Sequence, residues 1–397
     1  MVYIETEYFS FNKILLLAIG LWPYRQSKIY QFQIIFFSSI LMSAILFQFT
    51  PFLTSKCTSD HIIKILSSVM LFLIAVIKYF CFGINMKTVK ILLMQLQHIH
   101  NKLNDANEIA IIKVYAYNTK RYTVILIILL IGSIFLFILS QVCPNIFDII
   151  LPINKSRHYR MQFIVEYFID QKKYFFFLLL HMDTAFLLAG IVTLAIGLLI
   201  MGYIQYICGI FNISSYHIKH AIKSNMLQNI NSKNENLIFC NKERIIHAVD
   251  IHRQARNLCI LLMSKFELMF LFTTPLVVLS LSMNLFRISQ VALSEDDIMD
   301  LVLPFIAICF CTMYMFLAHY IGQDVTDHNN HIFGTAYDIQ WYVAPLHIQK
   351  LILFLLQEGT KDFTLNIAGL FIGSLECFAT LAKASLSYFT VIYSMRK

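Results

Sequence analysis

The chain has 397 residues, of which 58% are hydrophobic and only 14% are charged, and its formal net charge is +8. Its mean hydropathy is +0.68. A soluble chain of this length needs far more charge to cover its surface, so the composition excludes an ordinary soluble protein. The apolar residues fall in long runs, without the alternating pattern of β-barrel strands, and such runs are predicted to be membrane-spanning helices.

The amino-terminal segment contains Glu5, Glu7 and a short apolar stretch at 14–22. That stretch is too short to cross a bilayer. No small-residue cleavage site follows a basic segment, which argues against a signal peptide. We therefore expect an uncleaved amino terminus with an interfacial helix.

Seven later segments are apolar and long enough to span a bilayer. They are 29–55, 62–85, 122–143, 174–201, 258–286, 301–322 and 363–395. These segments predict an all-α, polytopic protein that forms a single seven-helix membrane domain over residues 1–397. The more polar segments 202–257 and 323–362 have helical periodicity, and we expect them to form a cytosolic anchor region below the membrane.

The distribution of Lys and Arg predicts the orientation, because basic residues are enriched in cytoplasmic loops. With a cytosolic amino terminus, the inner segments hold about twice as many basic residues as the outer ones, although the outer loop 144–173 is itself basic. Asn154 begins an Asn-Lys-Ser triplet in that loop and is a candidate glycosylation site. The carboxyl terminus would then be extracellular, an inverted topology compared with a G-protein-coupled receptor, which is the main rival interpretation. The sequence contains no internal repeat of the kind that would indicate a secondary transporter.

The cysteines and histidines form no recognisable metal or redox motif. The nine cysteines include no C-x-x-C pair. Cys57 and Cys143 both lie near the predicted outer face, where a disulfide is the alternative to two small apolar side chains. Asp327, His328 and His331 have helical spacing, but isolated histidines on cytosolic helices are usually surface groups, so we expect no metal site and no cofactor. No catalytic set emerges, and the chain is not expected to be an enzyme.

Among the ionisable residues within the predicted spans, Lys78 and Asp183 are candidates for a specific role. Lys78 is near the inner end of the second span, and its amine is predicted to reach the cytosolic interface. Asp183 lies in the fourth span, where it either bonds a neighbouring helix or orients a ligand, and the first role is favoured.

The last segment, 363–395, is polar along one side. Its polar side chains recur at intervals of three or four residues, which places them on one helix face: Glu376, Thr380, Lys383, Ser387, Thr390 and Ser394. Such a face is either a helix–helix packing seam or the wall of an aqueous conduit, and the residues alone favour the seam. One polar face per chain is too little to line a channel, so a pore would need several chains around an axis.

Several short motifs resemble the insect odorant-receptor family, in the same order and over nearly the whole chain. They are GLWP (20–23), VEYFID (165–170), LH (180–181), ICGIF (207–211), AVDIH (248–252), YDIQWY (337–342) and SYFTV (387–391). The first resembles the amino-terminal signature of tuning receptors from ants, bees and wasps. The last helix lacks the terminal Gln-Phe of gustatory receptors, and the inner loop 202–257 is shorter than that of the obligate co-receptor. The resemblance is therefore to a tuning subunit, with a gustatory-type ligand-gated channel as the alternative.

The resemblance implies a function that the residues alone do not. Members of the family form tetrameric, odorant-gated, poorly selective cation channels in the plasma membrane of olfactory sensory dendrites, and a tuning subunit assembles with the co-receptor. Their last helix lines the pore, which implicates Glu376, Thr380, Lys383, Ser387, Val391, Ser394 and Met395, with Val391 at the position of the apolar gate. Their cytosolic helices contact neighbouring subunits, which implicates Tyr337, Asp338, Trp341 and Tyr342. The expected partners are thus the co-receptor, a small volatile organic ligand, the lipid bilayer and permeant cations, and no nucleic acid.

The resemblance also places an odorant pocket in the outer half of the second, third, fourth and sixth spans. Aromatic and methionine side chains suit a volatile apolar ligand because they bury it without demanding hydrogen bonds. The candidates there are Met70, Leu73, Phe135, Leu139, His181, Met182, Phe186, Phe305, Phe310 and Met313. For any one of these residues, a position that faces lipid or the protein core is the favoured alternative.

Overall fold

The computed structural model describes residues 8–25, 27–54, 58–150, 162–170, 173–228, 235–293, 298–361 and 363–395, and these residues are mostly α-helical. The helices are α1 (Ser10–Ala18), α2 (Lys28–Phe49), α3 (Pro51–Thr54), α4 (Ser59–Ile84), α5 (Met86–Lys102), α6 (Ala106–Ile150), α7 (Phe175–Gln228), α8 (Glu235–Leu293), α9 (Val302–Asp338), α10 (Leu346–Glu358) and α11 (Leu375–Ser394). Two short strands, β1 (Asn366–Ile367) and β2 (Phe371–Ile372), form a hairpin before α11.

Seven helical segments among the described residues are long and apolar enough to cross a membrane. They are Lys28–Thr54, Ser59–Ile84, Ala106–Gln141, Phe175–Ala221, Lys242–Leu293, Met299–Asp338 and Leu375–Ser394. The predicted class, an all-α protein with seven membrane-spanning helices, is confirmed.

Helices α7 and α8 are much longer than a bilayer is thick. They have 54 and 59 residues, or roughly 80 to 90 Å at 1.5 Å per residue, against a hydrocarbon core of about 30 Å. The two helices pack against each other, and both contact α4 and α9. The polar segment 202–257 is therefore built mainly from continuations of two membrane helices, and α9 likewise continues into 323–338.

The last helix begins at Leu375, not at 363 as its apolar composition predicts. A turn between β1 and β2 interrupts the segment, because Ala368 and Gly369 have positive φ angles of 53° and 72°, which a helix does not allow. The Ser374 side chain then caps the new helix by accepting a hydrogen bond from the Cys377 backbone N–H at 3.2 Å. Hydropathy alone does not detect this break, since the hairpin is as apolar as the helix.

The short helix α1 packs onto α7. The Asn12 side chain is buried and donates a hydrogen bond to the Leu198 carbonyl at 3.1 Å, and Leu16 is fully buried. Trp22, in the segment that follows α1, is also buried. The amino-terminal stretch is thus part of the protein core, whereas the sequence predicted a helix at the membrane interface.

Candidate ligand cavity and carboxyl-terminal helix

A cavity of about 600 Å³ lies between α4, α6, α7, α8 and α9 and reaches the hairpin before α11. Its walls are mainly aliphatic, aromatic and methionine side chains, such as Phe72, Met269, Phe310 and Met313. Pockets of this size and character bind small apolar molecules, because burying the ligand surface supplies most of the binding energy.

Most polar side chains on the cavity wall are already hydrogen-bonded within their own helices. Ser133, Thr193 and Thr274 each donate to a carbonyl three or four residues earlier, at 2.8 Å. The His319 ring binds the Met315 carbonyl through Nδ1 at 2.7 Å, so that nitrogen carries the proton. A ligand therefore does not need to form hydrogen bonds with these groups, and the cavity is effectively apolar over most of its surface.

The structure brings four of the ten candidate pocket residues to this cavity: Phe186, Phe305, Phe310 and Met313. Phe135 and Leu139 lie on the exposed side of α6, where they would meet lipid. Met182 is buried in the core, and Met70 and Leu73 are half-buried on α4. Because the rotation of each helix about its axis decides which side faces inward, sequence reasoning could not separate these groups.

His181 has a structural role near the amino-terminal end of α7. Its Nδ1 lies 2.7 Å from the Tyr167 hydroxyl and its Nε2 lies 2.9 Å from Ser43 Oγ. The Ser43 hydroxyl donates to the Ile40 carbonyl, so His181 donates from Nε2 and accepts from Tyr167 at Nδ1. Burial raises the pKa of Tyr167 to about 12, which keeps that phenol protonated for this bond. The histidine therefore fastens the 162–170 segment and α2 to α7.

Several residues that face the cavity were missed by sequence reasoning. Thr274, Tyr314, His319 and Lys78 line it. Lys78 does not reach the cytosolic interface as predicted, since its side chain is buried with its Nζ 3.9 Å from the centre of the Tyr314 ring. The presence of a lysine within an apolar segment could have marked Lys78 as a functional residue. The direction of its side chain, however, depends on packing against α9, which is distant in sequence.

Asp183 on α7 has the helix-bonding role that was favoured for it. Its Oδ1 accepts a hydrogen bond from the Gln141 amide on α6 at 3.0 Å. This bond joins the two helices within the membrane region, which is the common use of a polar pair there.

Helix α11 packs on its own subunit through one side and exposes the other. Phe378 contacts Phe316 of α9, Leu381 is buried beside α8 and α9, and the Ser385 carbonyl accepts a hydrogen bond from Ser282 of α8 at 2.9 Å. At 100° per residue, these positions lie about opposite the polar residues of the helix.

All seven candidate pore residues, namely Glu376, Thr380, Lys383, Ser387, Val391, Ser394 and Met395, are exposed in the single chain. The hydroxyls of Thr380, Thr390 and Ser394 on this side donate to carbonyls of α11 itself. The packing seam within the subunit is thus formed by other residues than those of the polar face. A membrane-depth face with ionisable groups needs water or protein against it.

The candidate interface residues lie at the carboxyl end of α9 and in the turn that follows. Tyr337, Asp338 and Tyr342 are exposed, whereas Trp341 is half-buried and packs against the core. The neighbouring α10 also exposes Leu346 and Phe354. Together they form an exposed aromatic and aliphatic surface on a part of the chain that follows the membrane segment of α9.

Asp327, His328 and His331, the three residues with helical spacing for which no metal site was expected, do not converge as a set. Asp327 accepts a hydrogen bond from Gln323, and His331 is exposed. His328 instead approaches Asp324 at 3.3 Å and Cys208 of α7, and its Nε2 lies 2.7 Å from the Tyr115 hydroxyl.

A second group, Glu108, His217 and His247, also brings potential ligand atoms within 4.8 Å of one another. The Glu108 carboxylate accepts a hydrogen bond from His217. Both groups join neighbouring helices by hydrogen bonds between their own members. The Asn154 site and the side chains of Cys57 and Cys143 lie outside the described residues.

Comparisons with known proteins found a matching family model and solved structures of similar fold. A family model described as 7tm Odorant receptor matches residues 58–386. The fold is similar to the insect olfactory receptor OR5 from Machilis hrabei in complex with eugenol, with a TM-score of 0.79, 14% identity and coverage of 99% of this chain and 100% of that chain. The OR5 structure described without a ligand gives a TM-score of 0.76, 14% identity and coverage of 98% and 97%. No curated protein sequence matches this chain significantly.

Proposed function

The chain belongs to the odorant receptor family, and we propose that it is an odorant-gated, non-selective cation channel subunit that detects volatile molecules. Its family and fold are those of receptors and not of enzymes. Its seven membrane-capable helices make it a multi-pass membrane protein. The proposal concerns how the cavity and the last helix act together in such a protein.

The exposed polar face of α11 is the observation that carries the channel proposal. Glu376 and Lys383 lie in the membrane-capable helix α11, on the side that its own subunit leaves uncovered. The energetic cost of such groups in lipid favours a position against water. Several copies of α11 around an axis would place these side chains, with Ser387 and Val391, along a shared aqueous path.

We place the ligand in the cavity between α4 and α9. Its volume and its aromatic and methionine walls match a small volatile molecule. The Machilis hrabei receptor, which has a similar fold, was solved in complex with eugenol. This supports a ligand of similar size for the present chain. Because α9 lines the cavity and also packs on α11, a ligand that shifts α9 has a direct mechanical route to the pore helix.

The partner subunit is proposed to be the family's co-receptor, in a heterotetramer. The surface formed by Tyr337, Asp338, Trp341 and Tyr342 supports this proposal, since exposed aromatic side chains are enriched at protein interfaces. The continuations of α7, α8 and α9 below the membrane would form the anchor region that holds the subunits together.

The proposed orientation has the amino terminus in the cytosol and the carboxyl terminus outside, in the plasma membrane of a sensory dendrite. An epitope tag at residue 1 should stain only after permeabilisation, and glycosidase treatment should remove a glycan from Asn154. Surface staining of the tag in intact cells would instead support the topology of a G-protein-coupled receptor.

The decisive experiment expresses the chain with the co-receptor and records currents during an odorant panel. We expect a ligand-evoked current that appears without G-protein signalling and whose reversal potential shifts when external sodium is replaced by a large organic cation. A ligand response that requires G proteins, or a current carried by chloride, would contradict the channel proposal.

A further inference from the structure

Lys78 is a buried amine on the wall of the ligand cavity. The residue is 1% exposed, and it lines the cavity together with Tyr314, Thr274 and Met313. Its Nζ lies 3.9 Å from the centre of the Tyr314 ring, and the Tyr314 hydroxyl is itself 3.5 Å from Thr273 Oγ1. The amine therefore stands at a polar point of an otherwise apolar cavity.

The described part of the chain gives the Lys78 amine an aromatic face but no anionic partner. Among the described residues that line the cavity, none carries a carboxylate. Thr193 and Thr274, which also line the cavity, direct their hydroxyl protons to backbone carbonyls of their own helices, and among the described residues neither accepts a hydrogen bond from Lys78. A cation–π contact offsets part of the cost of burying an ammonium, but it provides no hydrogen-bond acceptor.

A buried ammonium is stable when an opposite charge and hydrogen-bond acceptors accompany it. A ligand with a carboxylate supplies both, and its apolar remainder suits the aliphatic and aromatic walls around Phe310 and Met313. Neutral ligands with one ester oxygen would satisfy the hydrogen bond only, and hydrocarbons would leave the amine unsatisfied.

We propose that Lys78 makes this cavity selective for small carboxylic acids, with the carboxylate bound at Nζ and the hydrocarbon part along α9. This inference rests on the proposed ligand-binding function and specifies its chemical class. A carboxylate at this point would also lie beside the Tyr314 ring of α9. Acid binding would therefore act directly on the helix that packs on α11.

The test compares octanoic acid, methyl octanoate and octane, which have similar apolar parts. Binding is measured on the full chain in nanodiscs, and currents are measured separately in cells with the co-receptor. The variants are Lys78→Met, which keeps the length but removes the charge, and Lys78→Arg, which keeps the charge. Lys64→Met is the matched control, because Lys64 lies roughly 21 Å earlier on α4 at 1.5 Å per residue.

We expect the wild-type chain and Lys64→Met to bind the acid about ten-fold or more tightly than the ester. Lys78→Met should lose that preference while its binding of octane is unchanged or improved, and Lys78→Arg should retain a preference for the acid. Equal affinity for acid and ester in the wild type would overturn the inference, as would an unchanged preference in Lys78→Met. Charge-dependent acid binding without any evoked current would support the ligand class while contradicting the channel proposal.

Discussion

Gly322 of α9 and Gly373, just before α11, are in backbone contact, so that a Cβ atom built on Gly322 would lie 2.6 Å from the Cα atom of Gly373. The Gly373 N–H also donates to the Leu365 carbonyl at 2.9 Å, which holds the hairpin closed at this point. The two glycines thus allow the hairpin to lie directly on α9, and Ser374 then starts α11 at a defined place.

Replacing Gly322 with alanine is expected to destabilise the protein, because the methyl group meets backbone atoms that have no rotamer to change. Overpacking of this kind costs about 1–3 kcal/mol. The measurement is the thermal unfolding midpoint of detergent-solubilised protein, followed by size-exclusion chromatography. Gly334→Ala, on the same helix but with no atom within 4 Å of its Cβ position, should be neutral or stabilising by up to about 1 kcal/mol. Equal midpoints for the two variants would show that the glycine contact is unimportant.

Filling the cavity should weaken the ligand response without disturbing the core. Gly197 lines the cavity and has no atom within 4 Å of its Cβ position, so a Gly197→Phe side chain has space to enter only by occupying the ligand volume. We expect normal surface expression and at least about a ten-fold loss of ligand sensitivity. An unchanged dose–response curve would place the ligand elsewhere.

Changes on the exposed face of α11 should alter ion permeation. Ser387→Ala, Val391→Ala and Glu376→Gln are expected to change gating or relative cation permeability, because these side chains would meet the ions. The measurement is the reversal potential in mixed cation solutions. Ser385→Ala is the control, since Ser385 is buried on the packed side of the same helix and should leave the reversal potential unchanged. A wild-type reversal potential and normal gating in all three variants would contradict the pore role.

Removing exposed aromatic residues at the end of α9 should weaken assembly with the co-receptor. Tyr337 and Tyr342 are 70% and 64% exposed, and truncating such side chains at an interface centre typically costs more than 1 kcal/mol each. We expect Tyr337→Ala with Tyr342→Ala to reduce co-purification of the co-receptor. Phe177→Ala, which removes an equally exposed aromatic residue at the start of α7, should have no such effect. A full yield of complex from the double variant would exclude this surface from the interface.

The half-buried His100 on α5 should make stability fall in mild acid. Burial lowers its pKa below the ordinary value of about 6.5, and its Nδ1 lies 3.2 Å from the Tyr206 hydroxyl. A depressed folded-state pKa means that the unfolded chain binds the proton more readily. Stability is therefore complete above about pH 6.5 and declines as the pH falls through and below that value.

His100→Gln should lose less thermal stability than the wild type between neutral pH and pH of about 5.5. His98→Gln is the control, since His98 is exposed on the same helix and should follow the wild-type curve. If all three proteins lost thermal stability in parallel as the pH falls, His100 would not be responsible for the loss.

The sequence alone determined the class of the protein, because the length and apolarity of a membrane span are local properties of the chain. It also determined the polar face of α11, since side chains three or four residues apart share a helix face whatever the helix packs against. Neither inference needs knowledge of distant residues, which is why both were available from spacing and composition.

Only the tertiary structure decided which side chains meet. Lys78 is held by Tyr314 of α9, His181 by Tyr167 and Ser43, and the start of α11 by a contact between glycines far apart in sequence. Each depends on how helices rotate and approach one another. Four of ten candidate pocket residues face the cavity because apolar residues suit lipid, core and ligand alike, and only packing distinguishes these three environments.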